Sequence, residues 1–198
     1  KIGMVNDCDT IRAIAETLKK YQDSYQHLVI DPVMVSTSGC RLMQEDALDV
    51  FITELLPLAT LLTPNIPEAE ILANRKIENA EDIKAAAAAI CKLGCRYVLI
   101  KGGHFDGAEK VDYLFEDGKL KTSYRGISVN TRNTHGTGCT LSSAITSYLA
   151  REMDMNTAIA MAKTYLSGAI LAGKDIKIGE GHGPVNHFYE PKSLFTKS

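Results

Sequence analysis

The chain has 198 residues, 45 % of them hydrophobic and 23 % charged, enough apolar content for one sizeable globular domain or two small ones. Lysine plus arginine is 22 against 24 aspartates and glutamates, a net charge of −2. That balance gives no reason to expect nucleic acid or an anionic membrane as a partner, and no apolar run approaches the roughly 18 to 20 residues that span a bilayer.

The five cysteines (Cys8, Cys40, Cys91, Cys95 and Cys139) are odd in number and scattered, which argues against a disulfide framework and suits a reducing, cytoplasmic compartment. Cys91 and Cys95 lie four apart, but no paired Cys or His motif follows at zinc-binding spacing, so they read as core thiols. The chain opens on Lys1 with "KIGMV", an apolar run that reads as a core strand with no signal peptide ahead of it. A start directly on a buried strand suggests that upstream residues are missing.

Further along, Ile11, Ile14, Ala15 and Leu18 share one helical face. "HLVIDPVMV" reads as a continuous buried strand ending near Pro32. "EDALDVFITELLPLA" is helical as far as Pro57, "TLLTPN" is strand-like, and "PEAEILAN" opens a short helix with proline in its first turn. A helix from Ala80 to Leu93, with five consecutive alanines, stops at Gly94, and "RYVLIKGGH" follows as a buried strand. "KVDYLFEDGKLKTSYRGISV" gives two or three short strands turning at Asp117-Gly118. Two helices, about Gly138 to Glu152 and Asn156 to Gly173, close the chain. The expectation is a single α/β domain over residues 1–198, with a mostly parallel sheet and some antiparallel strands toward its C-terminal half.

In open α/β sheets ligands gather at the carboxyl ends of the strands. Those ends hold Asp31-Pro32, Thr63-Pro64-Asn65, Lys101-Gly102-Gly103-His104 and the stretch from Asn133 to Cys139. Gly136, Thr137 and Gly138 stand before a helix whose first amides point outward, so an anion can rest on them, although glycines also simply make turns. Cys139 sits in the first helical turn, where the helix dipole favours negative charge. It is either a base for a substrate hydroxyl or a small residue packed under the loop. Asp31 and Glu68 are hard-oxygen candidates for magnesium, with Glu68 equally explained as a helix N-terminal acid. Lys101 at the end of a buried strand needs a partner, either a phosphate or a carboxylate such as Asp31. "GAILAGKD" (Gly168 to Asp175) nearly matches a phosphate loop. It lacks the hydroxyl and follows a helix, which leaves Gly173 as a helix end. His182 and His187, in a glycine- and proline-rich loop, suit a segment closing near a ligand better than a metal site.

Taken in series, "DPVMVSTSG", "LLTPNIPEAEIL", "VLIKGGH", "TRNTHGTGCTLSSAI" and "GHGPVNH" resemble the hydroxymethylpyrimidine/phosphomethylpyrimidine kinases of thiamin biosynthesis, from "KIGM" to the last motif. The resemblance implies a ribokinase-like fold and ATP-dependent phosphorylation of 4-amino-5-hydroxymethyl-2-methylpyrimidine, then of its monophosphate to the diphosphate. It further implies an anion hole at Gly136, Thr137 and Gly138, with Cys139 facing the substrate hydroxyl as base. By the same resemblance Met4 and Val33 would line the pyrimidine pocket, Asp31 and Glu68 would order magnesium and its water, and Lys101, with Gly102 and Thr137, would lie beside the ATP phosphates. The family commonly forms homodimers. It also normally begins with a "GSDxxGGAGIQAD"-like segment that this chain does not show, so about a quarter of the fold is expected to be absent. Two other readings stand beside this one: a pyridoxine or pyridoxal kinase of the same fold, and a nucleotide-binding module without turnover.

Overall fold

The computed structural model describes residues 1–35, 42–103, 111–126 and 128–193. Its helices are α1 (Cys8–Lys20), α2 (Glu45–Val50), α3 (Ile66–Ala73), α4 (Ala80–Cys91), α5 (Thr137–Leu149) and α6 (Met155–Gly173). One five-stranded sheet runs in the order β1 (Val29–Ile30), β2 (Leu61–Leu62), β3 (Tyr97–Gly103), β4 (Val111–Glu116), β5 (Lys119–Arg125). The first three strands are parallel and the last two antiparallel, as expected.

Side-chain alternation divides the core between the two sheet faces. Ile30, Leu62, Val98 and Ile100 point toward a layer built with α1, α3 and α4, where Ile11, Ala15, Ala69, Leu72, Ile83, Ala87 and Ile90 are buried. Val29, Leu61, Leu99 and Leu114 point the other way and meet Leu141, Ile145 and Leu149 of α5 and Ala158, Ile159 and Ala162 of α6. This is a three-layer arrangement, and it leaves the N-terminus of α5 beside the carboxyl ends of the parallel strands.

Local chemistry explains several boundaries. Asp7 caps α1 through the Thr10 amide, Asn79 caps α4 through Glu81 and Asp82, and Asp154 caps α6 through Asn156 and Thr157. The β4–β5 turn has Asp117 at φ +50° and Gly118 at φ +77°, the left-handed pair that matches a twisted hairpin.

Three expectations need correction. "KIGMV" is not a strand along its length: only Ile2 bridges Ile30, its amide donating to Val29 O, and Met4 is 59 % exposed. In "HLVIDPVMV" only Val29 and Ile30 pair in the sheet, because Pro32 offers no amide and the Val33 amide turns back to Asp31 O. The helix expected up to Pro57 ends as α2 at Val50, then widens into a π-helical turn (Phe51–Leu55) and tightens into a 3-10 turn (Leu56–Leu58) around the proline.

Candidate active site

Helix α5 begins abruptly. Gly136 occupies its N-cap with φ +82°, no side chain caps the helix, and its first turn carries no acidic residue. The turn is braced from behind: the Thr137 hydroxyl donates to Thr134 O at 3.1 Å and the Thr140 hydroxyl to Gly136 O at 2.8 Å. No side chain caps the positive end of the helix and no acid lies in its own first turn, an arrangement that can receive a phosphate.

Beside this turn lies a buried charged cluster. Lys101 Nζ donates to Asp31 Oδ1 at 2.9 Å and to Thr63 O, and Asp31 is only 2 % exposed. The Thr63 hydroxyl donates to the same carboxylate oxygen at 3.1 Å, and Ser142 Oγ lies 3.3 Å from Asp31 Oδ2, tying α5 to the end of β1. A Cβ placed on Gly138 would stand 3.6 Å from Asp31 Oδ2 and 3.7 Å from Lys101 Nζ. The sequence left two partners open for Lys101; in the structure it holds Asp31 and still reaches the anion-binding turn.

Glu68 forms a reciprocal capping box with Asn65: each side chain accepts from the other's amide at 2.9 Å. Burial pushes its carboxyl above the usual range, and the nearby Lys101 charge and its bonds from Asn65 and Met34 oppose that only partly. Asp31 and Glu68 are thus neighbours, but their oxygens already accept hydrogen bonds. Among the described residues no group of three or more His, Cys, Asp or Glu side chains could hold a metal. The donor chemistry fits a magnesium ion that keeps its own waters and meets these carboxylates through them, and does not fit an ion caged by protein ligands.

Cys139 is exposed, as an attacking or proton-accepting thiol must be, whereas Cys95 is buried and its thiol is pushed up to about 12, chiefly by that burial. With Gly136, Cys139 lines a groove of about 940 Å³ that continues past Tyr148, Met161, Tyr165 and Phe188. Met4 and Val33 are not among the residues lining it. Gly102 has φ +76°, and among the described residues a Cβ on it would meet nothing within 4 Å. His104 and Cys40, and part of "DPVMVSTSG", lie outside the described residues.

The structure gives specific contacts to Asn133, which the sequence placed only at the start of a polar strand end, and to the two C-terminal histidines. Asn133, 3 % exposed, donates through Nδ2 to Gly173 O at 2.7 Å and Ile176 O at 2.6 Å. It thereby closes the end of α6 at Gly173, the glycine of the rejected phosphate-loop match. His187 Nε2 lies 2.9 Å from Thr140 Oγ1 and His182 Nδ1 3.1 Å from Arg132 O, so both histidines pin the C-terminal segment to the turn. The position of Asn133 ahead of the glycines did not announce these contacts, because its partners lie 40 and 43 residues away.

A three-layer α/β fold with an uncapped glycine turn at a strand end, a lysine beside it and an exposed thiol in the first helical turn has the form of a ribokinase-like kinase. The comparisons agree. The model of the family described as phosphomethylpyrimidine kinase matches residues 1–186. The hydroxymethylpyrimidine/phosphomethylpyrimidine kinase of Rhizobium meliloti (strain 1021) is 45 % identical over 190 residues, covering 96 % of this chain and 70 % of its own length. The crystal structure of phosphomethylpyrimidine kinase from Clostridium difficile 630 superposes with a TM-score of 0.73 at 44 % identity, covering 85 % of this chain and 67 % of that one. An ADP complex of Bacillus subtilis pyridoxal kinase gives a TM-score of 0.79 at 32 % identity, covering 93 % and 67 %. The chain belongs to the phosphomethylpyrimidine kinase family. It spans about seven tenths of the Rhizobium relative and about two thirds of the two solved chains. As in kinases generally, ATP is the phosphate donor that the family implies.

Proposed function

We propose that this chain, a single domain over residues 1–198, carries the transfer site of a cytoplasmic, homodimeric kinase. It phosphorylates 4-amino-5-hydroxymethyl-2-methylpyrimidine with ATP and then converts the monophosphate to the diphosphate. The observation that carries this reading is the exposed Cys139 in the first turn after the Gly136-Thr137-Gly138 anion turn, in a chain of this family.

In the first step the Cys139 sulfur takes the proton of the substrate hydroxymethyl group as the hydroxymethyl oxygen attacks the γ-phosphorus of ATP, whose bond to the bridging β-phosphate oxygen breaks to release ADP. The transferring phosphoryl group carries its charge on equatorial oxygens, and the outward amides at Gly138 and Cys139 with the Lys101 ammonium stabilise that charge. Gly102 and Thr137 lie on the phosphate side, while Met4 and Val33 contact the pyrimidine. Asp31 and Glu68 would hold a magnesium ion through its waters, and such an ion would neutralise charge on the nucleotide phosphates.

Incubating the purified protein with ATP, magnesium and hydroxymethylpyrimidine, with pyridoxal in a parallel tube, tests the reading by mass spectrometry. Pyrimidine monophosphate followed by diphosphate is expected. A second reading, a pyridoxal kinase, is favoured by the high superposition on the Bacillus subtilis pyridoxal kinase. Pyridoxal phosphate without any pyrimidine diphosphate would select it. Nucleotide binding with neither product would leave a binding module.

A further inference from the structure

Strand β3 is irregular at the point where the site begins. Ile100 pairs with Tyr113 and Gly103 with Val111, so Lys101 and Gly102 together stand opposite the single residue Asp112. This is a β-bulge, which removes a ladder hydrogen bond and turns the side chains of the bulged strand. Lys101 is on that bulge. Its own amide donates to Pro64 O at 2.8 Å on the β2 side, and its side chain reaches toward Asp31 and Gly138.

The hydrogen bond that the bulge removes is replaced by a side chain. Asp112 Oδ1 accepts from the Gly102 amide at 2.8 Å, and Asp112 Oδ2 accepts from Lys163 Nζ of α6. The two side chains are only 10 % and 15 % exposed, so the carboxylate and the ammonium neutralise each other away from bulk water. A carboxylate buried in this way is costly without partners, and among the described residues its partners are the amide next to Lys101 and an ammonium of α6.

We infer that Asp112, held by Lys163, is a positioning residue: it fixes the β3 bulge that aims Lys101 at the anion-binding turn of α5. The inference rests on the phosphoryl-transfer reading for its functional consequence, but its structural half stands apart from that reading. Asp112 touches no reacting atom and acts through Lys101. Lys163 acts through Asp112 and, by placing the contact on α6, makes the aim of Lys101 depend on the packing of the helix that supports α5.

Two measurements test it. Amide hydrogen exchange at Gly102 is read in Asp112→Ala/Lys163→Met, which removes the acceptor and its counter-ion together, and in Asp112→Asn/Lys163→Met, which keeps a neutral acceptor. Loss of one buried hydrogen bond corresponds to exchange faster by roughly tenfold or more. That acceleration is expected in the first variant, with protection largely retained in the second; equal, unaccelerated exchange at Gly102 in both overturns the inference, whatever ligand the protein takes.

The second measurement is ADP affinity by calorimetry in a cycle with Lys101→Met. If Asp112 works through Lys101, Asp112→Ala/Lys163→Met weakens ADP binding roughly tenfold in the Lys101 protein and hardly at all in the Lys101→Met background. The same fold-loss in both backgrounds overturns positioning through Lys101. Failure of the unmodified protein to bind ADP would count against the kinase reading and leave the exchange result to decide the bulge.

Discussion

At Cys139 the two phosphorylations make different demands. The first nucleophile is a neutral alcohol, which benefits from a base, whereas the second is a phosphate monoester, already anionic at neutral pH because its second pKa is about 6. Cys139→Ala is therefore expected to slow the first transfer by roughly 10² to 10⁴ and the second far less, measured by quenched-flow assays of each step. Equal losses would make Cys139 a packing residue. Glu68 poses a question of pH. Burial raises its folded pKa, so the native state binds the proton more tightly than the unfolded chain does. The stability that this protonation gives is complete below the ordinary carboxylate pKa of 4.5 and is lost as pH rises through the folded value. Glu68→Gln keeps an acceptor for the Asn65 amide and removes the charge. Its melting temperature relative to the parent should thus rise from pH 4.5 toward pH 7.5, as followed by calorimetry; a relative fall over that range would show that the charged form is the one the fold favours. Glu68 was visible in the sequence as either a helix-end acid or a magnesium ligand. The structure establishes the first role in its capping box and leaves the second to magnesium titration.

Among the elements, the turn before α5 was legible as a turn and a helix start, because two glycines precede an apolar helical pattern, whereas the glycines alone did not decide between a simple turn and an anion site. Gly136 requires its left-handed backbone, and there a Cβ meets no neighbour but does meet its own carbonyl. Gly136→Ala should cost about 1 to 2 kcal/mol in chemical denaturation and weaken nucleotide binding as well. Gly138→Ala, with ordinary contact distances to Asp31 and Lys101, should leave stability nearly unchanged and affect phosphate binding alone. Asn133 was not legible. Removing its side chain orphans carbonyl oxygens at the end of α6, and Asn133→Ala should lower stability by about 1 to 3 kcal/mol. Nothing in "TRNTHGTG" announces that, because its acceptors belong to a helix end reached only after folding. The same holds for Ser142 and Asp31, 111 residues apart, and for Asp112 and Lys163. Sequence periodicity reports which face a residue occupies, and these pairings depend instead on how two layers meet. The short strands β1 and β2 were over-read for a related reason. Continuous apolar runs report burial, and burial extends past the two residues that pair in each.

Across the whole molecule, the thiols sort themselves by depth. Of the four described cysteines only Cys139 is exposed, while Cys95 is buried with its thiol held protonated by its surroundings. Brief iodoacetamide treatment at neutral pH should label Cys139 well before Cys95, which should react only on unfolding, as read by peptide mass spectrometry. Protection of Cys139 by ADP would place the nucleotide phosphates over the same turn. The Lys101–Asp31 pair has a consequence of another kind. The cation of the site is never bare, since it carries a carboxylate of its own even while it faces the helix mouth. Bystander anions such as inorganic phosphate or sulfate must compete with that internal tether using one or two charges. A polyphosphate, carrying more charge than either, would compete for the lysine more strongly than a simple salt.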